Sequence, residues 1–134
     1  MTSTSLESQG VAPLPTTAPV EFDGPGGCWS PETLLVASVI DCFTLTFKGI
    51  ARASKFSWTS LACEALGTLD RVDQITRFTA FELHARLEVP DGTNQMQAHR
   101  LLARAEETCL IARSLNAAFH LDAVVETVAV PVAS

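Results

Sequence analysis

Four cysteines, at positions 28, 42, 63 and 109, are the residues of this chain best suited to chemistry. No two of them form a C-x-x-C pair and the gaps between them are long, so they lack the spacing of a zinc site. In a reducing compartment they are not a disulfide framework either. What remains is inert buried thiols or a redox or catalytic thiol, because only the thiolate attacks. Cys42 has the most unusual setting. It follows Asp41 in the middle of SPETLLVASVIDCFTLTF, residues 30–47, a segment that is apolar on almost every face. A sulfur there reads either as a small core residue or as a reactive group that the segment exists to hold. His84, His99 and His120 share no ligand spacing, and neither a metal nor a cofactor is expected.

The elements that position these sulfurs follow from periodicity. Ser30-Pro31-Glu32 starts a helix: Ser30 can cap an orphan N–H, Pro31 suits the first helical position, and Glu32 favours the positive end of the dipole. The helix is expected to reach about Ala53. Leu34, Leu35, Val36, Val39, Ile40, Phe43, Leu45, Phe47 and Ile50 cover most of its circumference, so it should be buried centrally. A chain of 134 residues has difficulty surrounding such a helix, which points to a dimer. A second, amphipathic helix is predicted over roughly 94 to 113, where Ala98, Leu101, Leu102, Ala105, Cys109 and Ala112 form one apolar stripe.

Between the helices, residues 61–70 read as a strand broken by Gly67, LDRVDQIT turns the chain, and Arg77 to Pro90 alternates cleanly. There Phe81, Leu83, Ala85, Leu87 and Val89 face the core, and Glu82, His84, Arg86 and Glu88 face water. Trp58 caps the core and Cys63 joins it. Phe119 to Glu126 is a last strand. Residues 1–19 look like a flexible arm, VEF at 20–22 like a short edge strand, and DGPGG at 23–27 like a turn that leaves Cys28 in an exposed loop. Residues 20–128 are expected to form one domain, with 129–134 as a tail. The order gives an α+β fold with two helices on an antiparallel sheet.

Composition narrows the function. A net charge of −6 and nine scattered cations, none before Lys48, argue against nucleic acid. The apolar run is short for a membrane span and contains Ser38, Asp41, Thr44 and Thr46. The first residues lack the basic region of a signal peptide, so a cytoplasmic setting is the expectation.

The pattern S-P-E-x-L-L-x-A-x-x-x-x-C-F, from Ser30 to Phe43, with a second cysteine in A-E-x-x-C-L-I-x-x-S-L-N, from Ala105 to Asn116, resembles the OsmC/Ohr proteins. The resemblance covers about residues 20 to 126. It implies an intertwined homodimer and a thiol peroxidase acting on organic hydroperoxides. Cys42 would be the attacking thiolate and Cys109 the resolving thiol. The two would form a disulfide that an external dithiol reduces, with Glu32 as the glutamate of the site. An apolar wall from Leu34, Leu35, Phe43, Phe47 and Trp29 would suit an organic peroxide.

Two features depart from the family pattern. The arginine that the family sets against the thiolate has no counterpart in residues 1–47. Without a cation, burial raises the Cys42 pKa, and Asp41 raises it further unless it points away. Arg52, Arg77, Arg86 and Arg113, of either subunit, are the substitutes on offer. Glu32 stands ten residues before Cys42, about 15 Å along a straight helix, and also reads as a dipole partner. The competing reading is therefore a non-catalytic or weakly active domain of the same fold that binds a hydrophobic ligand or senses redox state.

Overall fold

The structure, a computed structural model, describes residues 4–129. These fall into two compact parts, one up to Ser38 and one from Val39. In the first part, β1 (Thr4–Leu6) and β2 (Leu14–Thr16) pair antiparallel. Within the stretch expected to be a flexible arm, the chain thus forms a hairpin. The Thr17 N–H then donates to the Trp29 carbonyl at 2.9 Å. Residues 20–22, expected as an edge strand, form a single 3-10 turn. The Phe22 N–H bonds back to the Pro19 carbonyl at 3.0 Å and the Asp23 N–H to that of Val20 at 3.1 Å. Their backbone donors are consumed locally, so no strand can use them. Gly24 packs so closely on this turn that a Cβ would sit 1.7 Å from the Ala18 carbonyl oxygen.

Ser30 opens α1 (Pro31–Ala53). Its Oγ accepts the Thr33 N–H at 3.1 Å, while Thr33 Oγ1 accepts the Ser30 N–H at 2.8 Å. This reciprocal pair satisfies two donors that the helix leaves without partners. It is made by Thr33, not by Glu32.

In the second part, β3 (Ser60–Val72), β4 (Ile75–Pro90) and β5 (Ala118–Val128) form one sheet in the order β3-β4-β5. The α+β expectation holds, but the sheet is mixed. β3 runs antiparallel to β4, whereas β5 runs parallel to it, from Ala80 opposite Ala118 to Pro90 opposite Val128. A parallel neighbour needs a crossover of a dozen or more residues, and the helices between β4 and β5 supply it. Alternating side chains report which face is buried and say nothing of strand direction. Gly67 does not break β3; a Cβ there would lie 2.7 Å from the Phe78 ring, so the glycine makes room for Phe78, which stacks on Phe81 at 5.0 Å. The turn is confined to Asp73 and Gln74, both at positive φ (50° and 68°), as a tight two-residue hairpin requires.

The core draws on three sources: Phe81, Leu83, Ala85, Leu87 and Val89 of β4; Ala98, Leu101, Leu102 and Ala105 of α2 (Gln95–Thr108); and Val39, Phe43, Phe47 and Ala51 of α1. Trp58 meets the Phe47 ring edge-on at 5.6 Å. The α1 residues are spaced by four and form a single stripe. One chain alone covers one face of α1, and Leu45 on another is 57% exposed. By length and composition α1 could cross a membrane, but its buried stripe belongs to the core. Of the tail expected at 129–134, all but Ala129 lies outside the described residues.

Removing the cap should weaken the start of the helix that carries Cys42. Ser30→Ala is expected to cost about 1 kcal/mol. In urea denaturation it should lower the midpoint at unchanged slope, and an unaltered midpoint would refute the capping role.

Candidate active site

Cys42 lies in the middle of α1, half-buried, on the turn next to Thr46. Cys109 is 1% exposed and is not inside a helix. The stretch expected to be one helix over 94 to 113 is two: α2 ends at Thr108, and α3 (Leu110–Arg113) starts after Cys109, whose backbone is extended (φ −61°, ψ 118°). The Cys109 N–H bonds to the Glu106 carbonyl at 3.3 Å, and the Cys109 carbonyl accepts the Arg113 N–H at 3.0 Å. The break therefore leaves the N–H groups of Leu110, Ile111 and Ala112 without helical acceptors.

Those donors find the two sulfurs. Burial pushes the Cys42 thiol up, but the Ile111 N–H, the Cys109 thiol, the Thr46 hydroxyl and the Leu110 N–H all favour the anion. The balance falls below the usual cysteine value. The Thr46 Oγ1 lies 3.9 Å from the Cys42 sulfur. Cys109 moves the opposite way. Burial raises it, the Ala112 N–H opposes this in part, and donation to Cys42 together with the nearby Cys42 charge raises it further. Both thiols are free. The pair is thus polarised: the Cys42 thiol is lowered and the Cys109 thiol is raised.

Among the described residues of this one chain, no arginine is among the groups that lower Cys42. Arg113 is paired with Glu106 at 2.9 Å and lies over the Phe119 ring. Arg86 faces Glu126 at 3.6 Å, and Arg77 donates to the Asn116 carbonyl at 3.0 Å. Backbone N–H groups take the role instead. Asp41 is exposed and is not among the groups that shift Cys42. In the first turn of α1, Glu32 has a buried Oε1 with no hydrogen-bond partner among the described residues. Cys63 is pushed up to about 11, by burial and then by Glu64, which makes it an inert thiol near neutral pH. Cys28 is exposed. His84 lies on the wet sheet face, 3.4 Å from Asp122, and no cluster able to hold a metal occurs among the described residues.

Sequence reasoning paired Cys42 with Cys109 only through a resemblance, and it missed Thr46 and the three N–H groups. Thr46 was within reach, since a residue four positions on shares a helix face with Cys42. The break was not. No glycine or proline marks it, and the apolar stripe continues through it.

The sequence profile of the family described as OsmC-like protein matches residues 24–123. A relative, the uncharacterized protein YmaD of Bacillus subtilis (strain 168), is 24% identical over 113 residues, 81% of this chain and 75% of that protein. Among solved structures, an OsmC-like protein of unknown function from Vibrio cholerae has a TM-score of 0.83 at 20% identity, over 91% of this chain and 84% of that one. An organic hydroperoxide resistance protein OsmC from Legionella pneumophila has a TM-score of 0.71 at 24% identity, over 97% and 98% of the two chains. The organic hydroperoxide resistance protein OhrB of Bacillus subtilis gives 0.68 at 17% identity, over 92% and 98%. At such identities the structural likeness establishes the fold.

Thr46→Val removes one donor and keeps the shape, so the Cys42 titration should move upward and iodoacetamide should modify Cys42 severalfold more slowly at pH 7. Thr46→Ser should restore the wild-type rate. Peptide-resolved alkylation across pH reads both, and superimposable profiles for wild type and Thr46→Val would exclude the hydroxyl from the site.

Proposed function

The chain belongs to the OsmC-like family, and from that premise we propose that it is a cysteine-based thiol peroxidase that reduces organic hydroperoxides. What supports this reading is the opposite polarisation of the two neighbouring thiols: each acts on the ionisation of the other, Cys42 being lowered and Cys109 raised. The names of the Legionella and Bacillus structures supply the substrate class. Apolar side chains beside Cys42 on α1 favour a carbon-bearing peroxide over hydrogen peroxide.

The Cys42 thiolate attacks the terminal peroxide oxygen. The O–O bond breaks, the alkoxide leaves and takes up a proton as alcohol, and Cys42 becomes a sulfenic acid. The Ile111 and Leu110 N–H groups hold the sulfur in its reactive form until that moment. Cys109 then attacks the sulfenic sulfur, hydroxide departs with the Cys109 proton as water, and a Cys42–Cys109 disulfide remains. An external dithiol reduces it by exchange through a mixed disulfide. Glu32 keeps a place in this reading as a carboxylate whose buried, unpaired oxygen would accept from a cation that a second copy brings. The half-exposed apolar faces of α1 support the same homodimer. A reducing, cytoplasmic compartment fits free thiols.

One equivalent of cumene hydroperoxide should consume two of the four thiols and yield a Cys42–Cys109 disulfide in peptide mapping. Cys42→Ser should abolish turnover. Cys109→Ser should leave a dimedone-reactive sulfenic acid on Cys42 and stall dithiol-driven cycling. Unchanged thiol content, or full turnover in Cys42→Ser, would leave the non-catalytic binding or sensing domain as the reading.

A further inference from the structure

A groove of about 570 Å³ lies between the end of α1 and the middle of α2, and neither Cys42 nor Cys109 lines it. Ile50, Ala53 and Leu101 supply apolar lining; Arg100, Arg104 and Glu107 line the α2 side. Arg100 and Arg104 are one turn apart, so their guanidinium groups are neighbours on the helix surface. Both are exposed. Among the described residues, the arginines in ion pairs are Arg86 with Glu126 and Arg113 with Glu106. Arg100 and Arg104 have no such partner.

The charge pattern is uneven. The chain carries −6 overall with nine cations. Arg100 and Arg104 of α2 line the groove, and Lys48 and Arg52 of α1 and Lys55 just beyond it lie outside the lining but in the other segment that borders it. Two unpaired guanidinium groups beside an apolar trough suit a ligand with an anionic head and a hydrocarbon body. With Glu107, two arginines against one carboxylate still leave the lining one net positive charge, which suits an anionic head.

We propose that this groove is a binding site for an alkyl carboxylate, its head held by Arg100 and Arg104 and its chain laid on Ile50, Ala53 and Leu101. The site is separate from the thiol pair and does not require the peroxidase reading.

Decanoate, titrated into the full chain by calorimetry with parallel NMR of the arginine Nε–H signals, tests it. The expected result is saturable binding of one decanoate per chain, with the Arg100 and Arg104 signals shifting. Acetate lacks the chain and should not bind. Decanol lacks the charge and should bind about five- to tenfold more weakly. Arg100→Gln with Arg104→Gln should weaken decanoate by about tenfold, and raised salt should weaken it further. Arg100→Lys with Arg104→Lys should retain most of the affinity. Ala53→Trp, which fills the trough without touching a charge, should abolish binding. Thermal melting confirms that each variant is folded. The proposal is overturned if decanoate does not saturate, if decanol equals it, or if folded double-Gln or Ala53→Trp protein binds like wild type.

Discussion

The interruption of the helix at Cys109 is the constraint around which the thiol pair is built. A continuous helix would consume each backbone N–H within itself; at this point the chain turns extended for one residue and restarts. Leu110, Ile111 and Ala112 are thereby left with donors to spend, and the two sulfurs receive them. Neutral N–H groups that converge on one atom favour its anionic form without introducing a formal charge. This accounts for a chain with no cation before residue 48 that still holds a thiol below its usual range. It also assigns asymmetric roles. The sulfur in the middle of α1 gains more stabilisation of its charge than burial costs it, whereas the sulfur at the break does not.

The rest of the second part serves that geometry. Because β5 lies parallel to β4, the chain must cross from one end of the sheet to the other, and α2 and α3 make the crossing. The apolar stripe of α2 and the inward side chains of β4 fix where the break falls relative to the sheet. On α1, the stripe Val39, Phe43, Phe47 and Ala51 is fully buried, which sets the rotation of the helix and with it the direction of Cys42. Asp41, one residue earlier, is turned to solvent by the same rotation. The carboxylate beside the thiol is a neighbour in sequence and not in electrostatics.

Charge is distributed with similar economy. Five of the nine cations are spread over three tasks: pairing with carboxylates at Arg86 and Arg113, bonding a carbonyl at Arg77, and standing unpaired on the groove at Arg100 and Arg104. None of them lowers Cys42. A site whose nucleophile is served by backbone groups is less sensitive to salt than one served by an exposed ion pair, because the donors are fixed in the fold and partly shielded from water.

Periodicity in the chain was enough to specify the two long helical segments, the alternating strand from Arg77 to Pro90, the last strand and the α+β class, because each burial face repeats every two or every three to four residues. The cap at Ser30 and the two cysteine-bearing motifs were legible for the same reason: their interactions span a few residues. The direction of β5, the unbroken course of β3 past Gly67 and the 3-10 turn at Val20–Phe22 were not legible. Each is settled by what lies opposite in space, such as the Phe78 ring over Gly67, and no local rule contains it. The activation of Cys42 belongs to this second group. Its backbone donors sit nearly seventy positions away in the chain, on atoms that every residue type possesses, so no side-chain pattern could reveal them before the fold brought them to the sulfur.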